Sequence, residues 1–276
     1  MLKFTRLQLE TNTFFLIFIR GQLQVLGRDL DKGRVLDVGK DDIWPPPKKK
    51  TIKKINFANN KISYSKISKS FKIFNRYFPK IEKILFCSVV PTTFKLIKRY
   101  LNNKTKIKCN EIKELKLSSL IDIKVNYKQV GSDRLTNAIS LINKKKNFII
   151  IDLGTATTFD VLINKLYKGG IIAPGIKLSL NTLSDRASLI PKINLKNIKK
   201  VIGVDTVSAV RSGFFWGYAG LIDNIVNLIK KEVGKPFDVI ITGGFAELIK
   251  SPIKTKVKID KNITIKGLIK TLEILT

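Results

Sequence analysis

An acid, a glycine and three threonines stand between two apolar runs in "IIIDLGTATTFDVLI", residues 149–163. If the apolar runs are strands, residues 152–158 form the turn between them. Gly154 lets the backbone approach a ligand, and the threonine hydroxyls with exposed amides supply hydrogen-bond donors. Such a turn suits phosphate oxygens, and Asp152 at the strand end could bind a cation that screens phosphate charge. An ordinary threonine-rich hairpin with an aspartate in its turn is the alternative.

A second candidate for chemistry is Asp133 in "GSDR", which precedes a stretch with helical spacing of apolar residues. The chain has no histidine, so a general base is expected to be a carboxylate, and Ser-His or Cys-His catalysis is excluded. Arg134 could meet a substrate carboxylate or a phosphoryl oxygen. The alternatives are that Asp133 only caps the helix and that Arg134 forms a surface salt bridge.

The two cysteines, Cys87 and Cys109, have no metal-ligand spacing. They indicate a reducing compartment and packed thiols. The early apolar run from Phe14 to Ile19 is too short to span a bilayer and lacks a signal-peptide cleavage site. We therefore expect a cytoplasmic protein with no membrane partner.

Basic residues outnumber acidic ones by 52 to 21, and the segment 44–83 holds twelve Lys or Arg and one acid. This charge is compatible with nucleic acid, an anionic surface or an anionic small substrate. Most of the excess is lysine accompanied by isoleucine and asparagine, which is typical of an AT-rich genome at tolerant surface positions. The aromatic residues of the segment are either a stacking platform for nucleic acid or core residues behind a basic face. We favour core packing and expect no nucleic-acid partner.

Strands and helices alternate along the rest of the chain, which indicates a mixed-sheet α/β architecture. A strand is predicted at 83–90, followed by a helix in "TTFKLIKRYL". A helix from "GSDRLTNAISLI" leads into the hairpin of residues 149–163. Later come a long helix beginning at "TVSAV", a strand in "FDVIITGG" and a short helix in "FAELIK". Small residues at Gly213, Gly217 and Gly220 permit close packing of the long helix, inside a lobe or across a dimer.

Five motifs in order, "GSDR", "DLGTATTFD", "GGIIAPG", "IGVDTVSAVRSG" and "ITGG", resemble the type III pantothenate kinases, the family related to Bvg accessory factor. The likeness covers roughly residues 83–276. It implies the acetate and sugar kinase, Hsp70 and actin fold, with two ribonuclease-H-like lobes and ATP in the cleft between them. It also implies a homodimer that transfers the ATP γ-phosphoryl group to pantothenate, the first step of coenzyme A synthesis.

The resemblance assigns roles residue by residue. Asp133 matches the catalytic aspartate, which accepts the proton of the attacking hydroxyl. Gly131, Ser132, Asp133 and Arg134 match the pantothenate-contacting segment, although the family commonly has Ala in place of Ser132. Thr206 matches a further pantothenate contact, whose alternative role is a helix N-cap.

The nucleotide and cation assignments fall on other motifs. Asp152 matches the ligand of a monovalent cation, K⁺ or NH₄⁺, which acts beside the Mg²⁺ that accompanies ATP. Thr155 matches an ATP phosphate contact. Gly243 and Gly244 resemble a glycine pair beside the nucleoside, although two glycines also suit a simple strand-to-helix turn.

The first phosphate loop of the family, Asp-x-Gly-Asn-Thr, is missing from residues 1–60. "LQLETNTFF" keeps only the continuation, and "VLDVGKDD" is not intact either. We predict an N-terminal lobe of residues 1–118, with residues 1–50 atypical, and a C-terminal lobe of residues 119–276. The competing hypotheses are a kinase acting on another hydroxyl, a catalytically weak or silent homologue, and a basic nucleic-acid-binding or regulatory protein on the same fold.

Overall fold

The computed structural model describes the chain except residues 1–13, 20–21, 28–49, 57–62, 73–74, 76–77, 88–90, 144 and 275–276. The chain divides into two compact units. Unit 1 comprises residues 1–117, 131–136 and 264–276, and unit 2 comprises residues 118–130 and 137–263. The lobe boundary predicted between residues 118 and 119 stays a prediction.

Unit 1 is built on a five-stranded sheet in the order β3-β2-β1-β4-β5. Its strands are β1 (Phe14–Ile19), β2 (Gln22–Gly27), β3 (Lys50–Asn56), β4 (Ile81–Cys87) and β5 (Cys109–Glu111). β2 is antiparallel to β1 and β3, whereas β4 is parallel to β1 and β5. Helices α1 (Tyr64–Phe71) and α2 (Pro91–Lys104) supply Ile67, Phe71, Ile97 and Leu101 to a core that also contains Ile84 and Phe86 of β4.

Unit 2 is built on a six-stranded sheet in the order β11-β10-β7-β8-β9-β6. Its strands are β6 (Asp122–Ile123), β7 (Asn147–Leu153), β8 (Ala156–Ile163), β9 (Leu166–Pro174), β10 (Asp238–Gly243) and β11 (Val257–Ile259). The remaining helices of the described chain are α3 (Ser132–Ser140), α4 (Ile176–Arg186), α5 (Thr206–Val233), α6 (Ala246–Lys250) and α7 (Ile263–Ile274). Apolar residues of β7, β8 and β10 form one core with α4, α5 and α6.

The two sheets share one topology. In each, the first three strands form an antiparallel meander, and the fourth strand lies parallel to the first on its other side, followed by the fifth. β6 is an addition at the edge of the second sheet. This repeated mixed sheet confirms the mixed-sheet α/β fold class that the sequence predicted.

The elements near the candidate site match the sequence predictions with one correction. The turn predicted over residues 152–158 is shorter, because β7 continues to Leu153 and β8 begins at Ala156. Asp152 is therefore a strand residue, and Gly154 and Thr155 alone connect the two strands. Within the described residues, no helix is long and apolar enough to cross a membrane.

Candidate active site

Asp133 lies in the first turn of α3, just after the helix begins at Ser132. The carbonyl of Gly131 accepts the first helical hydrogen bond, from the amide of Leu135 at 3.2 Å. Gly131 thus occupies the N-cap position, so Asp133 is not the N-cap that the alternative interpretation required. Its carboxylate instead accepts a hydrogen bond on Oδ1 from the amide of the next residue, Arg134, at 2.9 Å.

Gly131 provides the space that the Asp133 carboxylate uses. A methyl group built on Gly131 would lie 2.7 Å from Asp133 Oδ1, closer than carbon and oxygen can approach. The glycine of "GSDR" therefore allows the observed carboxylate position, and Ser132 beside it is 5% exposed. Gly131 and the backbone amide of Arg134 therefore both contribute to the position of the Asp133 carboxylate.

The first half of α3 is fixed by contacts within unit 1. Thr136 is buried, and its hydroxyl lies 2.6 Å from the carbonyl oxygen of Ser132 and 3.5 Å from Sγ of Cys87, the last residue of β4. On the α7 side, a methyl group on Gly267 would overlap the carbonyl of Thr136. β4 and α7 together hold the helical turn that carries Asp133.

Asp152 lies near the end of β7 and is 5% exposed. The side-chain amide of Asn137 donates to its Oδ2 at 3.4 Å. Thr158 is the residue opposite Asp152 in the β7–β8 pairing. Within the described residues, the hydroxyl of Thr158 is buried and has no hydrogen-bond partner. A buried hydroxyl normally has a hydrogen-bond partner, so a bound ligand could satisfy this oxygen.

These oxygen donors fit a monovalent cation. A carboxylate and a hydroxyl are hard ligands, which suit ions of this kind better than soft ligands would. In the part of the chain that the structure describes, no group of three or more His, Cys, Asp or Glu side chains is present. The oxygens described near Asp152 are those of its own carboxylate and of the opposite residue Thr158.

The turn after β7 is packed against two glycines of the same unit. A methyl group on Gly175 would overlap the carbonyl of Thr155, and one on Gly243 would lie 2.5 Å from the backbone of Leu153. Gly243 also has a φ of +96°, which favours glycine, whereas nothing lies within 4 Å of a methyl group on Gly244. The close approach of backbones explains the first two glycines without a ligand, and Gly244 leaves open space beside them.

Thr206 is the first residue of α5 and is exposed. The N-cap is Asp205, whose side chain accepts from the amide of Ser208 at 2.8 Å while Ser208 Oγ accepts from the amide of Asp205 at 3.1 Å. This capping box, with Ser208 in the position that usually holds Glu or Gln, leaves Thr206 outside the capping role. The hydrogen bond from Ser208 holds the pKa of Asp205 below its usual range. The N-cap alternative for Thr206 is therefore wrong.

The predicted residues fall into groups that the structure describes separately. Gly131, Ser132, Asp133 and Arg134 belong to unit 1, whereas Asp152, Thr155, Thr206, Gly243 and Gly244 belong to unit 2. Asn137, Thr158 and Gly175 were missed as site residues. Only Gly175 had a usable signal, in the motif "GGIIAPG", because the other two are identified by sheet register and helix packing rather than by spacing.

Comparison with known proteins gives matches over most of the chain. A family model described as type III pantothenate kinase matches residues 48–228. A protein of that name from Pelagibacter ubique (strain HTCC1062) is 62% identical over 219 residues, which cover 79% of this chain and 88% of the relative. Another of that name, from Syntrophotalea carbinolica, is 34% identical over 197 residues, or 69% and 76% of the two chains. The crystal structure of a conserved Baf family protein from Campylobacter jejuni has a TM-score of 0.54 at 18% identity, covering 94% of this chain and 97% of that one.

Proposed function

Because the chain belongs to the type III pantothenate kinase family, we propose that it transfers the γ-phosphoryl group of ATP to the hydroxyl of pantothenate, giving 4'-phosphopantothenate in the first step of coenzyme A biosynthesis. The observation that carries this proposal is 62% identity to a relative of that name over 88% of its length. The enzyme class is that of a phosphotransferase with an alcohol acceptor.

Asp133 is the proposed acceptor for the proton of the attacking hydroxyl. In the transfer, an O–P bond forms at the pantothenate oxygen, the bond between the γ-phosphorus and the bridging oxygen breaks, and ADP leaves with that electron pair. The hydrogen bond from the Arg134 amide orients the carboxylate, which suits a reaction that depends mainly on positioning. Arg134 supplies a positive charge for the pantothenate carboxylate or a phosphoryl oxygen.

Pantothenate is assigned to Gly131, Ser132, Asp133, Arg134 and Thr206. The first four form the start of α3, and Thr206 starts α5 with its amide in the first turn of a 28-residue helix. Helix N-termini present unsatisfied amides and favour anions, which agrees with a substrate that carries a carboxylate. The contact with pantothenate is proposed separately for each of these residues.

Thr155 is proposed to contact the ATP phosphates, and Asp152 with Thr158 to hold K⁺ or NH₄⁺. The bound cation would screen the phosphate charge, in addition to the Mg²⁺ that accompanies ATP. Thr155 is exposed in the two-residue turn between β7 and β8, where its hydroxyl can meet a phosphate oxygen. The burial of Asp152 and the unpartnered Thr158 hydroxyl support the cation assignment.

The proposed function is tested by ADP release from ATP with and without pantothenate, in matched potassium and sodium buffers. We expect ADP release that requires pantothenate and is faster in potassium, at a low rate because the first phosphate loop of the family is not intact in residues 1–60. The Asp152→Asn variant is expected to lose the potassium preference, while Asp122→Asn, an exposed control in the same unit, keeps it. Pantothenate-independent ADP release would refute the kinase proposal, and equal rates in both cations would refute only the cation site.

We also propose a cytoplasmic homodimer. Several large apolar side chains of unit 2 are exposed, among them Ile202 at 83% and Val204 at 91%, just before α5. Along α5, nothing lies within 4 Å of a methyl group built on Gly213, Gly217 or Gly220. The glycine face of α5 is thus open within the described chain, which favours the dimer alternative over packing inside a lobe.

Light scattering is expected to give twice the chain mass of 31.2 kDa. Replacing Ile202 and Val204 together with Asp should shift the protein to the monomer mass. Leu228→Asp is the matched control, because Leu228 is 55% exposed near the other end of α5. A wild-type monomer, or a double variant that remains dimeric, would contradict this interface.

A further inference from the structure

The hydroxyl of Tyr218, on α5, lies between α4 and the end of β9. It donates a hydrogen bond to the carbonyl of Pro174 at 3.1 Å and lies 3.0 Å from Oγ of Ser179. A phenol has one proton, so a Tyr218 hydroxyl that donates to Pro174 must accept from Ser179. The three residues therefore form one directed chain of hydrogen bonds, from Ser179 through Tyr218 to Pro174.

The carbonyl at the end of this chain belongs to the segment that packs on the β7–β8 turn. Pro174 ends β9 and pairs with Ala156, the first residue after the turn. The next residue, Gly175, is so close to Thr155 that a methyl group on it would overlap the Thr155 carbonyl. A shift of the β9–α4 junction would therefore displace Thr155.

Few side-chain hydrogen bonds are described at the β9–α4 junction. Proline has no amide proton to donate, and Gly175 caps α4 without a side-chain hydrogen bond. Apart from the main-chain bonds of sheet and helix, the Tyr218 hydroxyl is the polar side-chain contact observed at this carbonyl among the described residues. The ring itself is fixed independently, by stacking on Phe214 with centroids 6.0 Å apart and by packing against the core of unit 2.

We propose that Tyr218 is a positioning residue for ATP binding: through Pro174 it holds the β9–α4 junction against Thr155 and so fixes the turn that contacts the phosphates. This inference rests on the proposed function, because it takes the turn after β7 as the ATP phosphate contact. The role is one of placement alone, and neither Tyr218 nor Ser179 touches the reacting atoms.

The test is Tyr218→Phe, which removes one oxygen and keeps the stacked ring. Titration calorimetry with MgATP in the absence of pantothenate is expected to show about fivefold weaker binding, the equivalent of one hydrogen bond. The KM for ATP should rise by a similar factor. The kcat, the KM for pantothenate and the melting temperature should stay near the wild-type values, since the ring packing is intact. Ser179→Ala should give a smaller change in the same direction, because the bond from Tyr218 to Pro174 remains.

Tyr64→Phe is the matched control, since it removes a phenol oxygen from an exposed position in unit 1. It is expected to leave ATP affinity unchanged. A Tyr218→Phe protein with wild-type ATP affinity, whether or not its melting temperature falls, would overturn the inference. If the wild type binds MgATP but does not phosphorylate pantothenate, the proposed function fails, while the ratio of the two ATP affinities still decides the role of Tyr218.

Discussion

Asp133 is held by a hydrogen bond from the residue that follows it, and this local support gives a sharp prediction. Asp133→Asn keeps the shape of the side chain and one oxygen for the Arg134 amide, but it cannot accept the proton of the attacking hydroxyl. We expect kcat to fall by roughly 10² to 10⁴, with the KM for pantothenate little changed, because the interaction acts chiefly in the transition state. Steady-state kinetics of the purified variant check this. Near wild-type turnover would show that Asp133 serves only the helix.

Gly131 provides a second prediction at the residue scale. In Gly131→Ala the new methyl group would lie 2.7 Å from Asp133 Oδ1, so the carboxylate must move. Because that oxygen is the end of a flexible side chain, the fold should tolerate the change. We therefore expect an unchanged melting temperature and a kcat lowered by at least tenfold. A variant with normal kcat would show that the observed carboxylate position is not the working one, and one that unfolds would show that Gly131 has a backbone role.

Residue types and order single out candidate residues in the sequence, but not the contacts that support them. Asp133, Asp152 and Thr206 could be singled out because carboxylates and hydroxyls beside glycines are visible in the sequence. Asn137 and Thr158 could not, because their link to Asp152 depends on a helix lying on a sheet and on cross-strand register. The alternatives of an N-cap at Asp133 or Thr206 were decided only by the positions where α3 and α5 begin.

At the scale of elements, α3 depends on its neighbours for the placement of its first turn. A helix of nine residues is too short to be stable alone, so tertiary contacts must hold it. The buried Thr136 and the close approach of Gly267 in α7 are contacts of this kind. Helix α7 lies far along the chain from α3, yet unit 1 contains residues 132–136 of α3 together with residues 264–274 of α7.

Gly267→Ala is therefore expected to disturb the packing of α7 on α3. The added methyl group would overlap the backbone carbonyl of Thr136, which cannot rotate away as a side chain could. We expect a loss of about 1–3 kcal/mol of unfolding free energy, the usual cost of overpacking, together with reduced kcat. Thr271→Val on the same helix is the control. It replaces a hydroxyl that donates to the carbonyl of Gly267 by a methyl group of similar size, so it should cost less. Denaturant unfolding measures both variants, and equal stabilities would contradict the packing argument.

Apolar periodicity predicted these elements well where the helices are amphipathic. The helix predicted in "TTFKLIKRYL" is α2, with Ile97 and Leu101 fully buried. The strand predicted at 83–90 is β4, which runs over Ile81–Cys87. The turn before β8 was predicted too long, because threonines are as suitable for strands as for loops, and only pairing with β7 decides between them. Sheet order could not be derived from periodicity, since it depends on contacts between distant segments.

At the scale of the whole molecule, the positions of the aromatic residues bear on whether the basic segment 44–83 binds nucleic acid. Of the aromatic residues in the basic segment 44–83, Phe71 is fully buried and Phe78 packs against the same core. Tyr64 is 40% exposed and makes an edge contact with Tyr100. Phe57, Phe74 and Tyr77 lie outside the described residues. The aromatic residues that the structure describes thus belong mainly to the core of unit 1.

We accordingly predict no specific binding of nucleic acid at physiological salt. A protein that neutralises several phosphates loses affinity steeply with salt, with a slope of about 0.9 in log units for each contact on duplex DNA. Titration of labelled single-stranded and duplex DNA over a range of salt concentrations measures this slope. Tight binding at physiological salt with a slope of several contacts, lost when lysines of residues 48–54 are replaced by Gln, would overturn the prediction and favour the regulatory hypothesis.

The first phosphate loop expected from the family resemblance falls in the N-terminal part of the chain. The family match begins at residue 48, and the segment "LQLETNT" precedes the first described strand. Its residues up to 13 lie outside the described part of the chain. In the sequence, Leu9 and Glu10 stand where the family pattern has a loop that includes glycine.

The last prediction is that the chain as written is a weak or inactive kinase, and that rebuilding the loop restores activity. A like charge about 4 Å from a phosphate costs on the order of 4 kcal/mol at an effective dielectric near 20, which lowers affinity roughly a thousandfold. Glu10 would supply such a charge if it took the place of the loop, whereas the residues assigned from 131 to 206 resemble the family pattern except at Ser132. The experiment replaces the residues before Phe14 with an Asp-x-Gly-Asn-Thr loop and compares pantothenate-dependent ADP formation with that of the original chain. A large gain would show that the absence of this loop limits an otherwise functional kinase. Strong activity without the change would show that "LETNTFF" serves as a loop, and no activity in either would leave the silent homologue as the better hypothesis.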